Sequence, residues 1–300
     1  MSISRQNLTV IIVTFMSENV IHNCIKSLPD DIKIIVVDNS NNKNFKDSIE
    51  KKYKNIKCIL SEKNLGMGSG NNLGLEKVYT DYALILNPDV VLEENTLDEI
   101  FLASNNIDEF AAIAPISKLD DHPNYKLNQN QTLNLSEPFE VDSIDGYAMI
   151  LNLKSINNFK NFTNLSYFDE NIFMYLENDD LCKRIIDNKG KIFVVPKAKI
   201  NHIGGGAVDS KYKKQIELSR NWHWMWSKFY FNKKHKGFVR ALIIGFPSFL
   251  SAILKFIISL VFKNKNKKEI YLHRASGYFN ALIGNKSYYR PSLNISDQEN

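Results

Sequence analysis

Cysteine is scarce in this chain: three in 300 residues, Cys24, Cys58 and Cys182, far apart and in no CxxC pair. That excludes a disulfide framework and a thiolate metal site, and leaves each as a small buried hydrophobe. The 8 prolines and 13 glycines are too few for a collagen-like or low-complexity chain. At 24% charged and 44% apolar residues, wholesale disorder is excluded and a sizeable core can be buried. No secretory leader is visible: residues 1–7 are polar, and the apolar run Leu8–Phe15 is too short and too β-branched for an h-region. The expected setting is therefore a reducing cytoplasm. No internal repeat is present.

Acidic residues are almost missing from one stretch. Residues 1–210 carry 21 Lys and Arg against 29 Asp and Glu, a balance of −8, whereas residues 211–290 carry 17 against 2, a balance of +15. The net charge of +5 hides this split. It divides the chain into an acidic body, 1–210, and a basic, partly apolar tail, 211–300, and it suggests an anionic partner for the tail.

The body alternates strand and helix patterns. Leu8–Phe15 reads as a parallel strand buried on both faces, followed by a helix over Glu18–Leu28, a strand at Ile32–Val37 and a helix at Phe45–Tyr53. Further strands are expected at Ile56–Leu60, Tyr82–Leu86, Ala111–Ile116, Tyr147–Leu151 and Lys191–Val195, with helices at Asn71–Tyr79, Thr96–Ser104 and Asp180–Asp187. This is the pattern of βαβ units and a mostly parallel sheet. Residues 117–140 are polar and aperiodic and read as a loop or insertion. In the tail, Trp222 to Phe231 holds six aromatic residues among basic ones, and Phe238–Phe262 is mostly apolar but interrupted by Arg240, Pro247 and Lys255. A helix spanning a bilayer needs about 20 uninterrupted apolar residues. An interfacial or re-entrant amphipathic segment fits better than a span, and a core helical hairpin is the alternative.

Ligands of open parallel sheets bind at the carboxyl ends of the strands, and polar groups cluster there. Asp38-Asn39 follows the second strand, where a carboxylate can meet a ribose hydroxyl or a base N–H, or cap a turn. Asn64 to Gly74 (NLGMGSGNNLG) lies between the third strand and a helix and suits an approaching phosphate, although it is neither a Walker A loop nor a strict GxGxxG. Asn87-Pro88-Asp89 follows the fourth strand and offers hard oxygen ligands to a divalent ion, or a plain turn. Glu177, Asp179 and Asp180 crowd a helix start, where the helix dipole or a cation lowers the cost of clustering them, and one of them is a candidate general base. His202 borders Gly204-Gly205-Gly206.

Taken together and in this order, TVIIVTF, VVDNS, NLGMGSGNNLGL, LILNPDV, DGYAMIL, FDENIFMYLENDDLCKR and NHIGGG resemble the family 2 inverting glycosyltransferases, in particular their bacterial rhamnosyltransferase-like branch. The resemblance covers residue 9 to about 206 and implies an A-type glycosyltransferase fold, a Rossmann-like, mostly parallel sheet flanked by helices, here followed by the helical tail. It implies a nucleotide-sugar donor, with Thr14, Asp38, Asn64, Gly66, Asn72, Asn87, Asp145 and Gly146 on the donor side. Asp89 and His202 would hold Mg2+ or Mn2+. The family's Glu-Asp pair reads Glu177-Asn178, so the base would be Glu177, Asp179 or Asp180, with Glu177 favoured. The implied activity transfers a sugar, rhamnose from dTDP-rhamnose being the first choice and a UDP-hexose the second, to a hydroxyl of a growing surface glycan. A degenerate nucleotide-sugar-binding module is the remaining alternative. The implied setting is peripheral at the inner face of the cell membrane, on an anionic surface and near a lipid-linked acceptor, with no nucleic-acid partner.

Overall fold

The structure is a computed structural model that describes residues 2–118, 123–127, 135–160, 162, 166–202 and 212–290. The glycines 204–206 beside His202 therefore lie outside the described residues. The chain divides into two compact units: Met1–Glu170 with Glu177–Val208, and Asn171–Leu176 with Asp209–Asn300. The second unit thus takes in a six-residue segment, 171–176, that the charge boundary near residue 210 does not reveal.

The first unit opens with β1 (Leu8–Thr14), α1 (Glu18–Lys26), β2 (Lys33–Asp38), α2 (Lys43–Lys52), β3 (Ile56–Leu60), α3 (Gly66–Leu75) and β4 (Tyr82–Leu86). It continues with β5 (Val90–Leu92), α4 (Thr96–Asn106), β6 (Ala112–Ser117) and three two-residue strands, β7 (Tyr125–Lys126), β8 (Phe139–Glu140) and β9 (Ser143–Ile144). It closes with β10 (Ala148–Asn152), α5 (Leu153–Asn157), α6 (Glu177–Asp187) and β11 (Ile192–His202).

The main sheet runs β3-β2-β1-β4-β10-β6-β11-β5. Its first four strands are parallel, as the buried β-branched runs predict. The sheet is nevertheless mixed rather than mostly parallel. β10 is antiparallel to both β4 and β6, and β5 is antiparallel to the end of β11. The connection from β6 to β10 holds only two-residue strands among its described residues and no crossover helix, and β10 accordingly enters in the reverse direction.

Every residue of β1 and β4 is buried, and successive side chains alternate between two cores. Val10, Ile12, Ile34, Val36 and Leu84 pack with Ile21, Ile25, Ile49, Leu97 and Ile100 of helices α1, α2 and α4. On the other face Ile11, Ile85, Met149 and Leu151 pack with Leu75 of α3 and with Leu181 and Ile185 of α6.

The glycine-rich stretch is a helix and not a phosphate-cradling loop. α3 begins at Gly66, which takes φ of +80°, five residues earlier than the apolar periodicity suggests. The glycines at 70 and 74, one turn apart, lie against β1. A Cβ at Gly74 would stand 2.6 Å from Ile11 Cγ2, and one at Gly70 2.8 Å from Val13 Cγ1. The missing side chains let helix and strand approach closely.

The second unit contains α7 (Lys213–Lys236), α8 (Phe238–Val261) and α9 (Lys265–Leu282). Half of the aromatic cluster forms its interior, while Trp224 stays exposed. Trp222, Met225, Trp226 and Phe229 of α7 pack with Ala241 of α8 and with Tyr278 and Ala281 of α9. His223 is sealed among them, bonded to Ser287 Oγ at 3.0 Å and Tyr289 O at 2.8 Å, and burial pushes its pKa down to about 4. α8 stays helical through Pro247.

The contact at Gly74 sets a stability prediction. Gly74→Ala gains helix propensity of about 1 kcal/mol but forces a methyl into a fully buried Ile11, and overpacking costs about 1–3 kcal/mol. A net loss of about 1 kcal/mol is expected in urea unfolding, with the slope unchanged.

Candidate active site

The strand register collects the polar residues at one edge. Thr14 pairs with Asp38 and Ile12 with Leu86, so β1, β2 and β4 end together and residues 87–89 emerge beside them. Thr14 Oγ1 donates to Asp38 Oδ1 at 3.1 Å. The rest of the Asp38 carboxylate accepts from Ser40 Oγ at 2.7 and 2.8 Å and from the backbone N–H groups of Ser40 and Asn42 at 3.2 and 2.8 Å. Asp38 is thus the internal brace of the β2–α2 turn. Asn39 ties that turn to the next, donating to Gly66 O at 2.9 Å.

Asn64 Oδ1 accepts from Gly66 N–H at 3.0 Å and shapes the entry to α3. Asn72, expected in the donor pocket, has a different set of partners. Its amide donates to Phe168 O at 2.9 Å and Glu170 Oε1 at 3.1 Å, and its oxygen accepts from Phe168 N–H at 2.9 Å. Buried and fully bonded, it ties α3 to the segment ahead of α6.

Asp89 and His202 are brought together across 113 positions of sequence. β5 begins at Val90 and pairs antiparallel with the end of β11, His202 facing Val90. Asp89 Oδ1 then lies 3.7 Å from His202 Nε2. The imidazole stacks on Tyr147 with ring centroids 4.0 Å apart, and Tyr147 O accepts from Asn87 N–H at 2.8 Å. Asn87 Oδ1 and Asp89 Oδ1 are both buried with no hydrogen-bond partner among the described residues. Buried polar oxygens left unpaired cost about 1–3 kcal/mol each, and a cation would relieve that. Amide oxygen, carboxylate oxygen and imidazole nitrogen form a donor set suited to Mg2+ or Mn2+. Among the described residues no group of three or more His, Cys, Asp or Glu forms a complete metal site.

The three acidic residues in the first turn of α6 have three different environments. Asp180 is fully buried and accepts from Arg184 Nε at 2.9 Å, while Arg184 also donates to Tyr167 O and lies over the Phe162 ring. That ion pair closes within α6, and the contacts of Arg184 with Tyr167 and Phe162 tie the helix to the core. Asp179 Oδ1 accepts from Lys126 Nζ at 2.5 Å and Ser143 Oγ at 2.8 Å. Among the described residues Glu177 has no such cation. The residue is half-buried, but its Oε2 is sealed and unpartnered among the described residues. Burial pushes its pKa up to about 7, a hydrogen bond from its own backbone opposes this, and the charge of Asp179 adds to it.

Asn178, where an aspartate was expected, donates to Ile144 O at 2.8 Å. A carboxylate could not make that bond. Its side chain also packs on Gly146, whose Cβ would stand 3.1 Å from Asn178 Cβ, and Asp145 N–H donates to Asn124 O at 2.9 Å. Asp145 and Gly146 are therefore beside the start of α6. Tyr147, Lys126 and Arg184 were not singled out from the sequence. Lys126 lies in the polar stretch that reads as a loop, and nothing in one dimension pairs it with Asp179.

The sequence profile of Glycosyl transferase family 2 matches residues 9–181. The chain is 25% identical over 198 residues to the low-salt glycan biosynthesis hexosyltransferase Agl10 of Haloferax volcanii, covering 59% of this chain and 61% of that protein. It thus spans about three fifths of that relative's length. Among solved structures, S. aureus TarS 1-349 in complex with UDP-GlcNAc superimposes with a TM-score of 0.52 at 14% identity, over 95% of this chain and 93% of that one. GalNAc-T7 with UDP, GalNAc and Mn2+ gives 0.53 at 16% identity, over 72% and 51%. These likenesses establish the A-type arrangement, a mixed sheet with flanking helices.

The raised Glu177 pKa makes stability depend on pH. Between its ordinary 4.5 and about 7 the folded state binds the proton more tightly than the unfolded chain, so this group's contribution is present at low pH and is lost as pH rises through that window. Urea unfolding of wild type and Glu177→Gln at pH 5 and pH 8 checks it: the difference should move in favour of Gln at the higher pH.

Proposed function

Because the chain belongs to Glycosyl transferase family 2, we propose that it is a nucleotide-sugar-dependent transferase that moves a sugar, with inversion, onto a hydroxyl of a growing surface glycan. The observation that carries this reading is the Asp89–His202 pair at 3.7 Å, with buried oxygens on Asn87 and Asp89 that accept no hydrogen bond among the described residues, at the edge where β1, β2 and β4 end. Such a site suits a cation-bound diphosphate.

In this reading Asp89 and His202 would hold Mg2+ or Mn2+, with Asn87 beside them. When bound, the ion would neutralise charge on the leaving nucleoside diphosphate. Tyr147 fixes the plane of the His202 ring. Thr14, Asp38 and Asn39 hold the β2–α2 turn rigid against the nucleoside, and Asn64 and Gly66 form the neighbouring wall. Glu177 takes the proton from the acceptor hydroxyl. With a pKa near 7 it is both available as a base and strong enough to be useful at neutral pH. Asp179, already paired with Lys126, is the weaker candidate. Asp145 and Gly146 line the sugar and acceptor side.

Rhamnose from dTDP-rhamnose is the proposed donor. A UDP-hexose is the second choice, supported by the relative named a hexosyltransferase and the likeness to a chain solved with UDP-GlcNAc. The binding module without turnover loses support from Asn178, whose amide has a structural partner at Ile144. We further propose that the enzyme works in the cytoplasm against the inner face of the membrane, on a lipid-linked acceptor. α8 supports this: it is 24 residues long with mean hydropathy 2.1, and only 17% of its most apolar window is buried. Such a helix is long and apolar enough to cross a bilayer, but the exposed residues favour an in-plane position.

Two experiments test the reading. Turnover of a panel of nucleotide sugars with Mg2+ or Mn2+ should fall about 10²-fold or more in Glu177→Gln with donor affinity retained, and Asp89→Ala should abolish the metal dependence of nucleoside diphosphate binding. Equal turnover in Glu177→Gln would move the base elsewhere. Deleting residues 238–300 is not a clean test of membrane binding, because Ala241, Tyr278 and Ala281 complete the core around Trp222. Leu250→Glu with Leu254→Glu on the exposed face should instead abolish flotation of the full chain with anionic liposomes.

A further inference from the structure

α8 presents three different stripes. Val239, Ile243, Phe246, Leu250, Leu254, Ile257 and Val261 recur at three- and four-residue steps and are exposed. Ala241, Gly245, Ala252 and Ser259 are buried against the other helices. Ser248, Ser251 and Lys255 form the third stripe, and they line a cavity of about 560 Å³ together with Tyr271. That cavity shares the walls Glu217, Asn221 and Arg274 with a second, of about 530 Å³, which is also lined by Lys213, Arg220, Tyr175 and Trp224.

The lining is strongly cationic. Lys213, Arg220, Lys255 and Arg274 stand against one carboxylate, Glu217. The one other acid of residues 211–290, Glu269, is held by Lys214 at 2.5 Å. Arg274 is set in place beforehand: Nη1 donates to Asn221 Oδ1 at 3.0 Å and Nη2 reaches Met225 Sδ at 3.8 Å. Trp224 and Tyr175 pack edge to face with centroids 5.5 Å apart and form an aromatic wall. An oriented guanidinium with free donors, flanked by serine hydroxyls and further cations, matches a phosphate oxygen set. The apolar stripe of the same helix matches an acyl or isoprenoid chain.

We propose that these joined cavities bind the phosphate headgroup of a membrane lipid while its chain lies along the apolar stripe of α8. The proposal rests on the membrane reading above and adds recognition of one headgroup to it. A terminal phosphate, with two ionisable oxygens, engages more of these donors than a phosphodiester buried in a larger headgroup.

The test is flotation of the full-length protein with phosphatidylcholine vesicles carrying either phosphatidic acid or phosphatidylglycerol, matched in surface charge. Wild type should bind the phosphatidic acid vesicles about tenfold more tightly, a difference of about 1.4 kcal/mol. Arg220→Gln, at an exposed position that the fold does not need, should remove most of that preference while binding to phosphatidylglycerol vesicles persists. Arg274→Gln should do the same, and Arg274→Lys should restore part of it. The double variant Lys236→Gln, Lys267→Gln, which removes charge outside the cavities, should weaken both vesicles equally and keep the ratio. Circular dichroism checks that each variant is folded. Equal binding of wild type to the two vesicles overturns the headgroup site and leaves the membrane reading standing. No binding to either vesicle overturns the membrane reading itself. Full competition by soluble glycerol 3-phosphate makes the cavity a site for free phosphates and overturns the lipid assignment.

Discussion

β1 is the constraint on which the first unit depends. All of its residues are buried, it pairs with β2 on one side and β4 on the other, and its two faces feed two separate cores. α3 reaches it only because Gly70 and Gly74 carry no side chain. The same register fixes where the three strands stop, so Thr14, Asp38 and the turn 87–89 emerge at one edge. The position of the polar edge is thus a consequence of how the apolar strand is packed, and a shift of one residue would turn each side chain to the opposite face.

At the start of α6 three carboxylates within four residues are kept apart in chemistry by their partners. Arg184 neutralises Asp180 in the core, Lys126 meets Asp179 near the surface, and Glu177 has neither. Desolvation without a cation raises the Glu177 pKa toward neutrality, which is the condition a general base requires. The chain enters this helix through Tyr175 and Leu176, both with left-handed φ near +69° and +68°. Such non-glycine positions cost about 1–3 kcal/mol each and are held only where surrounding contacts demand them.

Two of the three tryptophans of the second unit serve as interior residues and not as a membrane belt. Trp222 and Trp226 are buried, their indole N–H groups donating to Ser276 Oγ at 3.3 Å and Asn285 O at 3.0 Å. Much of the apolar surface that remains belongs to α8, from Phe238 and Val239 to Val261. Basic residues of α7, α8 and α9 gather at the cavities beside it, so greasy and cationic surfaces are neighbours on one helix, as an amphiphilic ligand demands.

Much of this was legible in one dimension. The β-branched runs identified β1 to β4, the motif order identified the family, and the break in charge near residue 210 marked the start of the helical tail. Periodicity records which residues are apolar and at what spacing, and strands buried on both faces write that record clearly. Antiparallel entry of β10, the helical state of the glycine-rich stretch and the interior role of Trp222 and Trp226 were not legible, because each depends on what lies opposite. The same limit applies to the site. Sequence placed Asp89 and His202 as candidates, but only the pairing of β5 with β11 brings them within 3.7 Å. Of the three acids at 177, 179 and 180, Asp180 has a partner four residues on, Arg184, that the helical spacing alone offers. Tertiary structure alone separates the other two, since Lys126 selects Asp179 and leaves Glu177 in a dry environment where its proton is held near neutral pH.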